Sequence, residues 1–281
     1  MSLSTTNSHG IVLPEELGEL VIAAAATASV ALRASTVTTT QSRDYRVPTI
    51  AALPTSAFVA EGAELSADDP DIGELIITPA KVGHVAPMSR ELFRDSAEAA
   101  PQIVATAQGI DIARRIDAAF FGGNNPVAND GLDVLAGVQT VDAELANLDA
   151  FAEAQSLSED VGGTITSFIA SPANVLLLSQ LKRAEGSNEP LLQGGVPDPT
   201  APVARQILGS ALYSCAAVAD DVIWAIPQMH SLVVVREDVD TEVSTDVFFT
   251  SDRVAVKTTA RVGWGWAHPS AVVRINVDEG S

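Results

Sequence analysis

A single cysteine, Cys215, in 281 residues excludes an intrachain disulfide and leaves no thiolate cluster to hold a metal. The four histidines (His9, His84, His230, His268) are scattered, with no HExxH and no paired spacing, so metal-hydrolase chemistry has no anchor. No GxSxG is present, and a nucleophilic serine lacks its elbow. Asp69 and Asp71 start something like a calcium loop, but Gly73 stands where the EF-hand pattern needs a ligand. Carboxylates are so abundant that pairs of them carry no weight toward glycoside hydrolysis. The chain is therefore read as no enzyme, with no catalytic residue, no metal and no cofactor.

Cations are equally scarce: 16 Lys and Arg against 36 Asp and Glu leave a net charge of −20. Only Lys81, Lys182 and Lys257 are lysines. Tight nucleic-acid binding needs clustered Lys and Arg, so it is not expected. The longest uncharged run near the start, Leu20 to Leu32, is too short to span a bilayer. It follows Glu15, Glu16 and Glu19 rather than a basic leader, which argues against a signal peptide and for a cytoplasmic start with no membrane partner. At 47% hydrophobic the chain can bury a real core, in one large domain or two modest ones.

What is present is an order of parts. A Ser/Thr-rich tail (residues 1–12) precedes a helix opened by Pro14 and running to about Ala34. Val37 to Ile50 reads as extended, broken at Val47-Pro48. From Phe58 two extended segments flank an acidic turn of Asp68, Asp69, Pro70 and Asp71. Between Val47 and Ala80 stand Glu61, Glu64, Asp68, Asp69, Asp71 and Glu74, with no Lys or Arg. A lone hairpin is marginal in water, and like charges worsen it. Such an arm needs something to hold it, most simply another copy of the chain.

A short helix (from Met88) and a long one follow, the latter with a capping-box spacing at Asp95 and Glu98 and with Pro101 near its first turn. One stripe runs Ile103, Ala107, Ile110, Ala113 or Arg114, Asp117; another runs Ile112, Ile116, Ala119, Phe120. Gly122-Gly123-Asn124-Asn125-Pro126 ends the helix; phosphate cradles precede helices, so this is a stop signal.

Helices and strands then alternate. A helix capped by Asp149 runs to Asp160 and closes at Gly162-Gly163, and Thr164 to Ala170 is a strand. Ser171-Pro172 opens a helix with Val175, Leu176, Leu178 and Leu181 inward, ended by Gly186. Ser187 to Pro202 is a Pro/Gly loop, and Val222–Ile226 and Leu232–Val235 are buried strands. Beyond Glu237 the chain is extended: Val262, Trp264 and Trp266 share one face, and Gly263 and Gly265 the other. Those glycines would admit a close backbone, such as the long helix. Ala271 to Val277 is the last strand.

The series Leu13-Pro14-Glu15-Glu16, Phe58-Val59-Ala60-Glu61-Gly62, Met88-Ser89-Arg90-Glu91-Leu92, Phe120-Phe121-Gly122-Gly123-Asn124, Arg261-Val262-Gly263 and Pro269-Ser270-Ala271-Val272-Val273 covers most of the chain. In this order it resembles the major capsid proteins of tailed viruses, the Hong Kong 97-type shell fold. The resemblance implies an α+β fold with a long spine helix, a projecting β-hairpin arm, a peripheral domain and an axial domain. It divides the chain into an N-terminal arm (1–50), the hairpin arm (51–86), the peripheral domain with the spine helix (87–134), the axial domain (135–235) and peripheral return strands (236–281) that come back under the spine.

The implied function is a bacteriophage major capsid protein that self-assembles into pentamers and hexamers of an icosahedral shell enclosing double-stranded DNA. The alternative is the shell subunit of an encapsulin-type compartment. The implied location is the virion, after assembly in the host cytoplasm. Implied partners are other copies of the chain, a separate scaffolding protein, a portal and a cement protein, with genomic DNA enclosed but not read. The scaffold is expected to be separate because the N-terminal helix begins within about twenty residues of Met1. The acidic arm residues Glu61, Glu64, Asp68, Asp69, Asp71 and Glu74 would meet Arg90, Arg94, Arg114 and Arg115 of a neighbour. Some members of the family form a bond between an arm lysine and a neighbour's asparagine. Here the arm has no lysine until Lys81 at its base, so no such cross-link is expected. The acidity itself fits a salt-adapted or GC-rich host, an inner wall along which DNA slides, or both.

Overall fold

A computed structural model describes residues 24–52, 58, 71–91, 99–183, 188–192 and 205–277. Residues 24–28 are helical, Ser29 breaks the helix, and it restarts as α1 (Val30–Ala34) because the Ser29 hydroxyl accepts a bond from the Leu32 amide. The expected opening at Pro14 lies outside the described residues. Next come β1 (Thr36–Thr39), β2 (Tyr45–Ala52), β3 (Asp71–Ile77) and β4 (Ala80–Ser89). β2 runs straight through Pro48, where a break was expected. Among the described residues its sheet has two strands, each with an open edge, and there a missing N–H is tolerated. Asp71, expected in the turn, instead begins β3 opposite Ala52.

The long helix α2 (Ala99–Phe121) buries Ala105, Gln108, Gly109, Ile112, Ala113, Ile116, Asp117 and Phe120, at steps of three and one. Ile103 and Ala107 are exposed, so the stripe expected through them is not the buried one. Of the short helix before α2 only residues 90 and 91 are described as helical; Met88 and Ser89 end β4, and Asp95 and Glu98 lie outside the described residues.

Beyond it lie β5 (Gln139–Ala143), α3 (Asp149–Asp160), β6 (Ser167–Ala170), α4 (Pro172–Gln180), β7 (Arg205–Ile207), β8 (Ser210–Ser214), β9 (Val222–Ile226), β10 (Ser231–Phe248), β11 (Arg253–Trp266) and β12 (Val273–Val277). Asp149 is the first helical residue of α3 rather than its cap, and Asn147 Oδ1 accepts from its amide at 3.0 Å. Gly162, at φ +80°, turns the chain out of α3 in the left-handed region. The strand expected from Thr164 begins only at Ser167. α4 starts as expected, with Ser171 accepting from the Asn174 amide and Pro172 in the first turn. Leu176, expected inward, is 58% exposed; Val175 and Leu178 are the buried pair. Gly186, expected to end this helix, and most of the 187–202 loop lie outside the described residues.

Two sheets carry the body. One is ordered β1-β10-β11-β4, the other β5-β12-β9-β6-β8-β7. Leu232–Val235, expected in the second unit, is the start of β10 and pairs with β1 in the first. β12, expected to return under the long helix, lies between β5 and β9 in the second. Its alternate residues Val273 and Ile275 are fully buried there with Ile223 and Ala225, which is why that slot takes an apolar strand. One core gathers α3, α4 and one face of the six-stranded sheet around Phe151 and Phe168, whose rings meet at 5.0 Å. The other gathers α1, α2 and both sheets around Phe120. α2 is thus shared by the two halves.

Candidate functional site

Four-stranded sheet, α2 and arm form three tiers around β11. Alternate residues of β11 point to opposite faces. On one face Trp264 and Trp266 reach Phe120 of α2, with ring centroids at 6.0 and 5.4 Å. Farther along, the buried Gln108 donates to the Val256 carbonyl at 3.1 Å and accepts from the Thr258 hydroxyl at 2.7 Å. An amide with both ends satisfied by one strand fixes the helix in register on the sheet.

The opposite face is Gly263 and Gly265, and the expected visitor there was the long helix. The arm occupies it instead. A Cβ on Gly265 would lie 2.9 Å from Ile77 Cγ1 and 3.2 Å from Leu75 Cδ2, and one on Gly263 would lie 3.0 Å from the Pro79 Cα. Both glycines are therefore needed to seat the base of β3. In the hairpin Tyr45 faces Ile77, Val47 faces Leu75 and Thr49 faces Gly73, and this side turns toward the body. The other side carries Ile72 and Ile76, 67% and 47% exposed, and the Arg46–Glu74 ion pair at 3.0 Å. The base is also tied by Thr78 Oγ1 donating to Asp44 Oδ1 at 2.7 Å. A two-stranded element with one face anchored and an apolar outer face has surface to spare for a partner.

The sequence-derived arm residues fall as follows. Glu61, Glu64, Asp68 and Asp69 lie outside the described residues. Asp71 heads β3, and Glu74 is paired within its own hairpin by Arg46. That cation was missed because the first arm strand was placed too late. Among the proposed arginine partners, Arg94 is outside the described residues and Arg90 pairs with Asp252 of its own chain at 3.0 Å. Arg114 and Arg115 are exposed on α2. Arg115 lines a hollow of about 520 Å³ between α2, β4 and β11, together with Lys81, Val82, Val127 and Trp264.

Three further groups were not legible as partners. Asp117, buried on α2, accepts from the Ser29 hydroxyl at 2.7 Å and from the Val30 and Ala31 amides at 3.0 and 2.9 Å. It satisfies the first N–H groups of α1 and complements that helix's dipole. The signal was an acid beside Ile112, Ile116 and Phe120, on the apolar face. Cys215 lies 3.9 Å from the same carboxylate, and burial, with the nearby Asp117 charge adding to it, pushes its thiol up to about 11. It is an inert core thiol at neutral pH. His230 and His268, far apart in sequence, meet with ring centroids at 5.4 Å where the chain crosses between the sheets. Burial, and then the neighbouring His268, lower the His230 pKa.

Among the described residues no group of three or more His, Cys, Asp or Glu could hold a metal, and no helix is long and apolar enough to cross a membrane. The model of the Phage capsid family matches residues 9–277. Solved structures share the fold. A chain of Microbacterium phage Oxtober96 superposes with a TM-score of 0.70 at 21% identity, covering 98% of this chain and 96% of that one. A chain of Mycobacterium phage Bobi gives 0.70 at 16%, covering 90% and 91%. The capsid of a native GTA particle gives 0.68 at 16%, covering 99% and 94%. No curated protein matches by sequence. The fold is the α+β Hong Kong 97-type shell fold expected from the order of parts.

Proposed function

Since the chain belongs to the phage capsid family and is a structural protein rather than an enzyme, we propose that it assembles into pentamers and hexamers of an icosahedral shell that encloses double-stranded DNA. Its working place is the virion, reached after assembly in the host cytoplasm. A scaffolding protein, a portal and a cement protein act with it, and the DNA is enclosed without being read. Within the subunit the peripheral unit is α2 with the four-stranded sheet. The axial unit is the six-stranded sheet with α3 and α4, closed by β12.

The observation that carries this reading is the arm. Its base is seated on Gly263 and Gly265, while Ile72 and Ile76 stay open to solvent. In a shell that outer face lies on a neighbouring subunit, where the acidic residues between Glu61 and Asp71 meet Arg114 and Arg115. One exposed ion pair contributes only about 0.2–1 kcal/mol. Repetition around a closed shell makes such pairs cooperative.

Deleting Glu64 to Glu74 spares Leu75 and Ile77, the residues that seal the glycine face. The deleted chain is expected to keep its far-ultraviolet circular dichroism and its cooperative melt while closed shells disappear from electron micrographs. Shells of normal number and heat resistance from the deleted chain would overturn the arm's role. Imaging native particles separates the contents: DNA-filled, tail-bearing shells support the viral reading, and protein-filled shells support an encapsulin-type compartment.

A further inference from the structure

β10 is the longest strand, and β1 covers only its first part: their register ends at Thr39 opposite Val235. The next residue, Arg236, sits on a bulge. Val235 pairs with Val262 and Glu237 with Arg261, so two steps along β10 match one along β11. Such an extra residue bends the strand and re-aims a side chain. Beside it lies a cleft of about 420 Å³ lined by Thr39, Thr40, Gln41, Val235 and Arg236. Arg236 Nε is shielded from solvent and has no hydrogen-bond partner. The chain carries 36 carboxylates for 16 Lys and Arg. Arg46, Arg90, Arg183 and Arg274 each pair with a carboxylate of their own chain.

A guanidinium whose Nε is covered can still take a carboxylate end-on through its two Nη groups, two parallel bonds in one plane. Arg236 Nε is covered, but the residue is only partly buried and lines the notch, so its Nη groups are what the cleft can offer a carboxylate of another molecule. We propose that the Arg236 cleft is an inter-subunit carboxylate site, filled by an Asp or Glu of a second copy of this chain. The inference rests on the shell reading above and adds a receptor on the body. Charge complementarity selects the occupant, because every further copy of this chain brings 36 carboxylates. The notch lies where β1 stops and β10 continues, so an incoming extended segment would also meet an uncovered strand edge.

The test puts an amine in the cleft with Arg236→Lys and treats assembled shells with a zero-length carbodiimide. Coupling joins the new amine to whichever carboxylate occupies the cleft, forming an amide with loss of water. Shells are built from an equal mixture of nitrogen-15-labelled and unlabelled chains, and the joined peptides are read by mass spectrometry. The expected result is a residue-236 peptide joined to an acidic peptide of the other isotope, present in shells and at least tenfold weaker in unassembled subunits. Coupling only within one isotope, or none at residue 236 in intact shells, overturns the site while leaving the shell reading standing. Failure of the unaltered chain to form any shell removes the shell reading itself. A second variant, Arg236→Gln, covers the case in which the lysine variant fails to assemble. It is expected to raise the concentration needed for assembly severalfold without shifting the subunit's melting temperature. An unchanged assembly threshold, with weaker binding of a DNA duplex instead, would assign the cleft to phosphate and overturn the proposal.

Discussion

The six-stranded sheet and the arm hairpin are both β-structure, yet they solve the burial problem differently. β6 and β9 are buried at every residue, because α3 and α4 cover one face and the Phe120 core covers the other. The arm alternates: Ile77 and Leu75 face the body, while Ile72, Glu74 and Ile76 face out. The first element gets its stability from within the chain. The second has one face anchored on the body and leaves Ile72 and Ile76 on the other uncovered, surface that a partner could complete.

The comparison is broken most sharply from the body side. Phe120→Ala empties the point where α2 meets Trp264 and Trp266, and is expected to cost about 3–5 kcal/mol, read as a fall in the urea midpoint. Gly265→Ala attacks the joint between the two regions. Its Cβ would stand 2.9 Å from Ile77 Cγ1, and the overpacking is expected to cost about 1–3 kcal/mol and to speed amide exchange at the base of β3. Acid sharpens the contrast. Because the folded-state pKa of His230 is lowered, the unfolded chain takes up that proton first as pH falls. Body stability should therefore decline as pH drops from about 6.5 through the lowered value, then level off. His230→Gln should flatten that slope. Ile76→Ser, on the arm's outer face, is expected to change subunit stability by no more than about 0.5 kcal/mol, yet to raise the concentration at which shells form. Equal effects on both would mean the arm belongs to the subunit's own core.

Much of the architecture was readable because local signals agreed. Gly122-Gly123 ended α2, Ser171-Pro172 opened α4, and the tryptophan–glycine alternation of β11 placed two opposite faces correctly. The errors came where partners distant in sequence decide. Pro48 sits inside a strand because that strand lies in an open two-stranded sheet. Leu176 is exposed because α4 spends only one narrow side on β6. β12 was expected under the long helix and joins β5 and β9 instead, since an apolar strand does not name its neighbours. Asp117 reads in sequence as the charged end of a stripe, and only its juxtaposition with Ser29 and the α1 amides explains its burial. Arg46 was overlooked as an arm cation for the same reason: its partner Glu74 stands 28 residues away in sequence.

The slot taken by β12 has a consequence for how the molecule comes into being. β5 and β9 flank that slot, and both are synthesised well before Val273. Until the chain has grown past Val277, the six-stranded sheet has a gap between β5 and β9 and exposes two unpaired strand edges to the cell. Pairing over so long a separation is slow, and open edges of this kind invite aggregation. A ribosome that stops early thus releases a chain that cannot close its own sheet. β12 is the keystone of the six-stranded sheet, a piece that only a chain grown past Val277 can set.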